Sequence, residues 1–135
     1  MLSQPVQLQY LKLLLRIGGV VTGSAFFAML LPVDWMASTH ERLGMGTFPR
    51  APVVDYLARS VAAFYGFHGV LLFVVAQDPV RLRPIVTYLA AFNIIFGMML
   101  IVIDVYAGMP TWWTTTEGPV VIVIGALLTI LRRWL

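Results

Sequence analysis

The chain has 135 residues, of which 60% are hydrophobic and only 11% are charged, with a net charge of +3. A soluble domain of this size keeps more charged residues to cover its surface. The composition therefore indicates an integral membrane protein surrounded by a lipid bilayer, and it excludes a disordered chain or a nucleic-acid binder. The absence of cysteine excludes disulfides and thiolate metal sites, and we expect no cofactor.

Four long stretches without charged residues predict four membrane-spanning helices. They are residues 17–33, 60–77, 84–103 and 118–131. A helix rises about 1.5 Å per residue and the hydrocarbon core is about 30 Å thick, so the first three are long enough and the fourth becomes so if it extends to Trp134. We expect an all-α integral membrane protein, a four-transmembrane-helix up–down bundle forming a single membrane domain over residues 1–135. The helices are predicted at about 8–33, 52–77, 84–107 and 118–134.

The segments outside the spans are short, apart from one loop. Residues 1–15 carry Leu8, Leu11 and Leu15 at helical spacing, which predicts a short N-terminal interfacial segment running into the first helix. The loop 34–51 is the longest connection. Its first part predicts a short surface helix with Asp34 as N-cap and Gly44 at its end.

Six of the nine basic residues fall on one predicted side of the membrane. They are Lys12, Arg16, Arg81, Arg83, Arg132 and Arg133. By the positive-inside rule this side is cytoplasmic, and so are both termini. Most acidic residues and three of the four tryptophans fall on the other side, which we call the outer side. The first helix is expected to be retained, because no small-x-small cleavage site follows its long apolar run.

Ionisable residues inside a span are costly and therefore mark candidate sites. Arg59 lies about 10 Å below the start of the second helix if that helix begins at Pro52. Asp104 is predicted within about one turn of the outer end of the third helix, and Asp55 precedes Arg59 by one turn. The sequence thus predicts that Arg59 pairs with Asp104, Asp55 or both. The cluster serves either to neutralise a buried arginine or to bind an anionic group.

Three further residues are candidate binding residues for a ligand or partner. Trp112 and Trp113 are expected to cover the outer end together with loop 34–51, although adjacent tryptophans also anchor helices at the headgroups. His68 is expected to face another helix, a partner protein or lipid, or to bond a neighbouring carbonyl. No metal site is expected, because the outer loop offers only His40 beside scattered carboxylates.

Small residues recur at helical spacing in the first two spans. Gly19 and Gly23 lie four residues apart in the first, and Ala58, Ala62 and Gly66 continue the pattern in the second. Such residues let helices approach closely in lipid. They predict either packing within the bundle or dimerisation.

Residues 56–84, YLARSVAAFYGFHGVLLFVVAQDPVRLRP, precede a glycine-containing third helix and the sequence Met109-Pro110-x-Trp112. This pattern resembles that of small four-helix DoxX-like bacterial membrane proteins. The shared features are an arginine at the start of the second helix, glycines one or two turns later and a basic turn, and they cover about half the chain. The resemblance implies a multi-pass protein of the bacterial cytoplasmic (inner) membrane, and it assigns no activity.

The sequence favours a non-catalytic membrane protein over an enzyme, because no pair of catalytic groups falls near the middle of the bilayer. We expect an accessory or assembly subunit of a membrane complex, or a homo-oligomer, with other membrane proteins or a second copy as partners. The alternative is a carrier or binder of a small amphipathic ligand, a quinone or a lipid, at the outer-leaflet end of the bundle.

Overall fold

The computed structural model describes residues 4–135, which are mostly helical and contain no strand. The helices are α1 (Gln4–Gly23), α2 (Ala25–Met29), α3 (Val33–Arg42), α4 (Pro52–Gln77), α5 (Arg83–Ala107), α6 (Thr111–Thr114) and α7 (Glu117–Leu131), followed by a 3₁₀ turn (Arg132–Trp134). Within this range, four segments are long and apolar enough to span a membrane: Val6–Met29, Pro52–Gln77, Arg83–Ala107 and Thr111–Trp134. The predicted all-α class with four spans is confirmed.

The described part of the predicted N-terminal segment is helical from Gln4 and runs without a break into the first span. One face of it is buried, with Leu11 and Leu15 essentially inaccessible. Residues before Gln4 lie outside the described range. The first span is interrupted once, at Ser24, whose hydroxyl donates to the carbonyl oxygen of Val21. Hydroxyl groups that bond back to a preceding carbonyl compete with regular helix geometry.

Two compact units make up the chain, and one of them is Leu15–Val74. In this unit α1 and α4 pack antiparallel through glycines. A Cβ atom on Gly69 would lie 2.6 Å from the Cα atom of Gly23, and one on Gly19 would lie 3.1 Å from the carbonyl oxygen of Gly69. A Cβ on Gly66 would collide with the ring of Phe26. Gly19, Gly23 and Gly66, three of the small residues predicted from the sequence, therefore pack within the chain, and larger side chains at Gly19, Gly66 or Gly69 would separate the helices.

The other unit joins residues 4–14 with Val75–Leu135. Here α5 and α7 pack antiparallel along most of their length. A Cβ on Gly97 would lie 2.7 Å from the carbonyl oxygen of Gly118, and one on Gly125 would lie 2.9 Å from that of Ala90. Leu89 and Leu128 are buried in the same unit. Glycine contacts thus set the spacing of both helix pairs.

The surface helix of the long loop exists, but its predicted N-cap is wrong. Helix α3 begins at Val33, its N-cap is Pro32, and Asp34 lies inside the first turn. The Asp34 carboxylate forms an ion pair with Arg50, with 2.8 Å between Oδ1 and Nη1, so it does not cap the helix. The predicted end is correct, because Gly44 adopts a positive φ of 73° just beyond α3, a conformation that favours glycine.

Candidate functional site

Arg59 makes two polar contacts within its own unit. Its Nε donates a hydrogen bond to Oδ1 of Asp55 at 2.9 Å, and its Nη1 donates to the backbone carbonyl oxygen of Met29. The side chains of the ion pair are 33% and 37% exposed, so both remain partly accessible. The predicted pairing of Arg59 is confirmed for Asp55. Asp104 belongs to the other unit, and its pairing with Arg59 stays a prediction.

The contact with Met29 explains where the first span ends. Met29 is the last residue of α2, and the N–H of Leu30 turns back to the carbonyl oxygens of Phe27 and Ala28. The final carbonyls of a helix lack partners in the helix itself and carry the negative end of its dipole. Arg59 supplies a donor and a positive charge at that point. Because the two residues are thirty positions apart, no local pattern in the sequence indicated this contact.

A second polar cluster lies where α5 ends and α7 begins. Asp104 is 4% exposed, and its Oδ2 has no hydrogen-bond partner among the described residues. Glu117, in the first turn of α7, accepts a hydrogen bond from Nε1 of Trp113 at 2.7 Å. Asp104 lies in the last turn of α5 and Glu117 in the first turn of α7, so the antiparallel packing of the two helices places both residues at the same end of the pair. An acceptor oxygen that is buried without a partner is unfavourable, so this cluster favours a ligand or partner that supplies a hydrogen-bond donor.

The two adjacent tryptophans have different surroundings. They belong to α6, and their rings meet edge to face at 5.3 Å between centroids. Trp113 is tied to Glu117, whereas Trp112 is 44% exposed and has no hydrogen bond from its indole N–H among the described contacts. Trp112 is therefore the open member of the pair. Both tryptophans were predicted as candidate binding residues, but the pairing of Trp113 with Glu117 was not, although their four-residue spacing in the sequence is compatible with such a contact.

His68 lies in α4 with a partly buried side chain, and its predicted role in binding a ligand or partner stays a prediction. Asn93 in α5 uses its side-chain amide locally, donating to the carbonyl oxygen of Leu89 at 2.8 Å. His40 in α3 shares a hydrogen bond with the carbonyl oxygen of Gly46 through Nδ1 at 3.0 Å. Across residues 4–135, no group of three or more histidines and carboxylates is arranged to hold a metal ion.

Comparisons with protein-family models, with curated proteins and with solved structures find no match to this chain. The polar clusters themselves are thus the basis on which a function is assigned.

Proposed function

We propose that this protein is a non-catalytic integral membrane protein that serves as an accessory or assembly subunit of a membrane complex or as a homo-oligomer. The observation that supports this most directly is that both polar contacts of Arg59 are made within the protein itself. Ionisable groups at membrane depth usually mark function. Here the guanidinium holds Asp55 and the end of α2, which is a structural task.

The small share of the chain that lies between the candidate spans supports the same proposal. Apart from residues 30–51, the connections between the candidate spans are short, at residues 78–82 and 108–110. Little of the described chain is available to form a soluble partner surface or an enclosed reaction chamber. Partners are therefore expected to contact the protein through its membrane helices, where close packing depends on small residues and a few polar groups. The proposal includes a bacterial inner-membrane location with cytoplasmic termini, in keeping with the DoxX-like resemblance.

A second candidate function is favoured by the carboxyl oxygen of Asp104. A buried polar atom without a partner is uncommon and marks a place that a ligand or another chain can complete. An amphipathic ligand that carries a hydroxyl group, such as a lipid or a reduced quinone, could donate to this oxygen with its apolar part against Trp112. Under this alternative the protein binds or carries such a ligand at the end of α5 and α7.

Native purification separates the two functions. The full chain is extracted with its surrounding lipid into polymer nanodiscs, and both co-purifying proteins and extracted small molecules are identified by mass spectrometry. A stoichiometric membrane protein, or a stable multimer of this chain, supports the first function. A stoichiometric quinone or lipid supports the second if Trp112→Ala loses it while Trp35→Ala, another exposed tryptophan, retains it. A monomer with neither partner nor ligand contradicts both.

A further inference from the structure

Three arginines gather at one end of the α5–α7 pair. Arg83 is the first residue of α5, and Arg132 and Arg133 are the first two residues of the 3₁₀ turn that follows α7. Because α5 and α7 are antiparallel, the start of one lies beside the end of the other, and α5 contacts the 3₁₀ turn directly. We call Arg83, Arg132 and Arg133 the basic end. The first turn of α5 contains no acidic residue.

The arginine nearest the protein interior in the basic end is held in a fixed position. Nη1 of Arg132 donates to Oγ1 of Thr87 at 2.9 Å, and Oγ1 of Thr87 donates in turn to the carbonyl oxygen of Arg83 at 3.0 Å. The hydroxyl proton therefore points to Arg83, and its lone pair faces Arg132. Thr87 and Arg83 are four residues apart in one helix and share a face. The guanidinium of Arg132 is thus anchored about one turn from Arg83.

The three arginines of the basic end form no ion pair with a carboxylate among residues 4–135. Within the described part of the chain, ion pairs are formed by Arg50 and Arg59, and none by the basic end. The Nε atom of Arg132 is also buried without a hydrogen-bond partner there. A guanidinium has five N–H groups, and like charges gathered at one end of a helix pair repel one another. An anion with several acceptor oxygens would satisfy the free donors and offset the repulsion.

We propose that the basic end binds the phosphate group of one anionic phospholipid. Arginine suits phosphate because its planar fork donates two parallel hydrogen bonds, and basic groups at the ends of membrane helices attract anionic headgroups. The neighbouring side chains fit a lipid at this depth. Trp134 and Tyr88 are exposed at the same end, where amphipathic rings lie at the headgroup level, and Ile130 is an exposed apolar residue beside which an acyl chain can lie.

The test measures lipid binding by the full-length protein after delipidation in detergent. Phosphatidylglycerol or the zwitterionic phosphatidylcholine is titrated in, and the bound fraction is measured by native mass spectrometry. Each arginine near an anionic surface contributes about a factor of five, so the double variant Arg83→Gln with Arg132→Gln should bind phosphatidylglycerol roughly 25-fold more weakly. The matched control is Arg42→Gln with Arg50→Gln, which removes the same charge elsewhere and should change affinity by less than about threefold.

A third variant keeps every charge. Thr87→Val removes the anchor of Arg132 and should weaken phosphatidylglycerol binding by about fivefold, a measurable loss even if the double variant does not fold. The proposal is overturned if the wild type does not prefer phosphatidylglycerol to phosphatidylcholine, if the control pair loses as much affinity as the basic end, or if Thr87→Val binds normally. Displacement by inorganic phosphate would assign the site to a free anion and would also overturn it.

Discussion

Replacing Arg59 tests whether its main task is to end the first span. In Arg59→Ala both polar contacts disappear. The i,i+4 pair with Asp55 is partly exposed and contributes about 0.3–0.5 kcal/mol to the free energy of unfolding. The bond to the Met29 carbonyl involves a charged donor and contributes about 1.5–3 kcal/mol. We therefore expect the free energy of unfolding to fall by about 2–3.5 kcal/mol, most of it from the contact that is distant in sequence.

The comparison with Asp55→Asn distinguishes the two contacts. This variant keeps the hydrogen bond from Arg59 to the Met29 carbonyl and weakens only the ion pair. Its free energy of unfolding should therefore fall by only about 0.5 kcal/mol. The outer-loop pair is a control, because Arg50→Ala removes an ion pair whose side chains are 67% and 76% exposed and should change stability by no more than about 0.5 kcal/mol.

The assay is reversible unfolding in mixed detergent micelles, followed by far-ultraviolet circular dichroism. If Asp55→Asn destabilises the protein as much as Arg59→Ala does, the ion pair makes the larger contribution, and the explanation by the cap on α2 is wrong. An Arg59→Ala protein as stable as the wild type would refute both contributions.

Two further predictions concern packing and topology. Gly97→Ala should lower the free energy of unfolding by about 1–3 kcal/mol, because its new Cβ would lie 2.7 Å from the Gly118 carbonyl oxygen. The control is Gly23→Ala, whose new Cβ would meet nothing within 4 Å, so this variant should be as stable as the wild type or more stable. The same unfolding assay measures both, and equal losses would contradict the close approach of α5 and α7. Single cysteines at Val80 and Thr115 should react with an impermeant maleimide from opposite faces of the membrane, with Val80 on the cytoplasmic face, and labelling from one face would refute the up–down order.

The helical spans could be predicted because their determinants are local. An apolar stretch of bilayer length ends where charged residues, proline or glycine begin, and these features lie within the span or beside it. Helix α4 begins at Pro52, as predicted, and α5 begins at Arg83, one residue before its predicted start at residue 84. The interruption at Ser24 was not predicted, because hydrophobicity does not detect a break between two apolar helices.

The polar contacts were harder to predict because their partners are distant or are backbone atoms. Asp34 has the residue type and position of an N-cap, yet its carboxylate binds Arg50, sixteen residues later. Arg59 was recognised as significant, and its nearby partner Asp55 was named, but a carbonyl such as that of Met29 carries no sequence signal. Thr87 was overlooked for a similar reason, since its hydroxyl matters only once α5 and α7 are paired.

A chain this apolar has few polar groups at its helix ends. Whether each group has a hydrogen-bond partner within the protein indicates whether its role is structural or lies in binding. Arg59 is bonded to its own unit, so its replacement should affect folding first. Asp104 has a buried oxygen without a hydrogen-bond partner, and Arg132 has a buried N–H without one. Each group therefore contributes less to the stability of the fold than Arg59 does. Unsatisfied buried groups are unfavourable unless something else completes them. Asp104 and Glu117 lie at one end of the α5–α7 pair and the basic end lies at the other, so one small ligand cannot contact both. Under these proposals the helix pair has two separate binding ends, and the lipid proposed for the basic end is compatible with either function proposed for the protein.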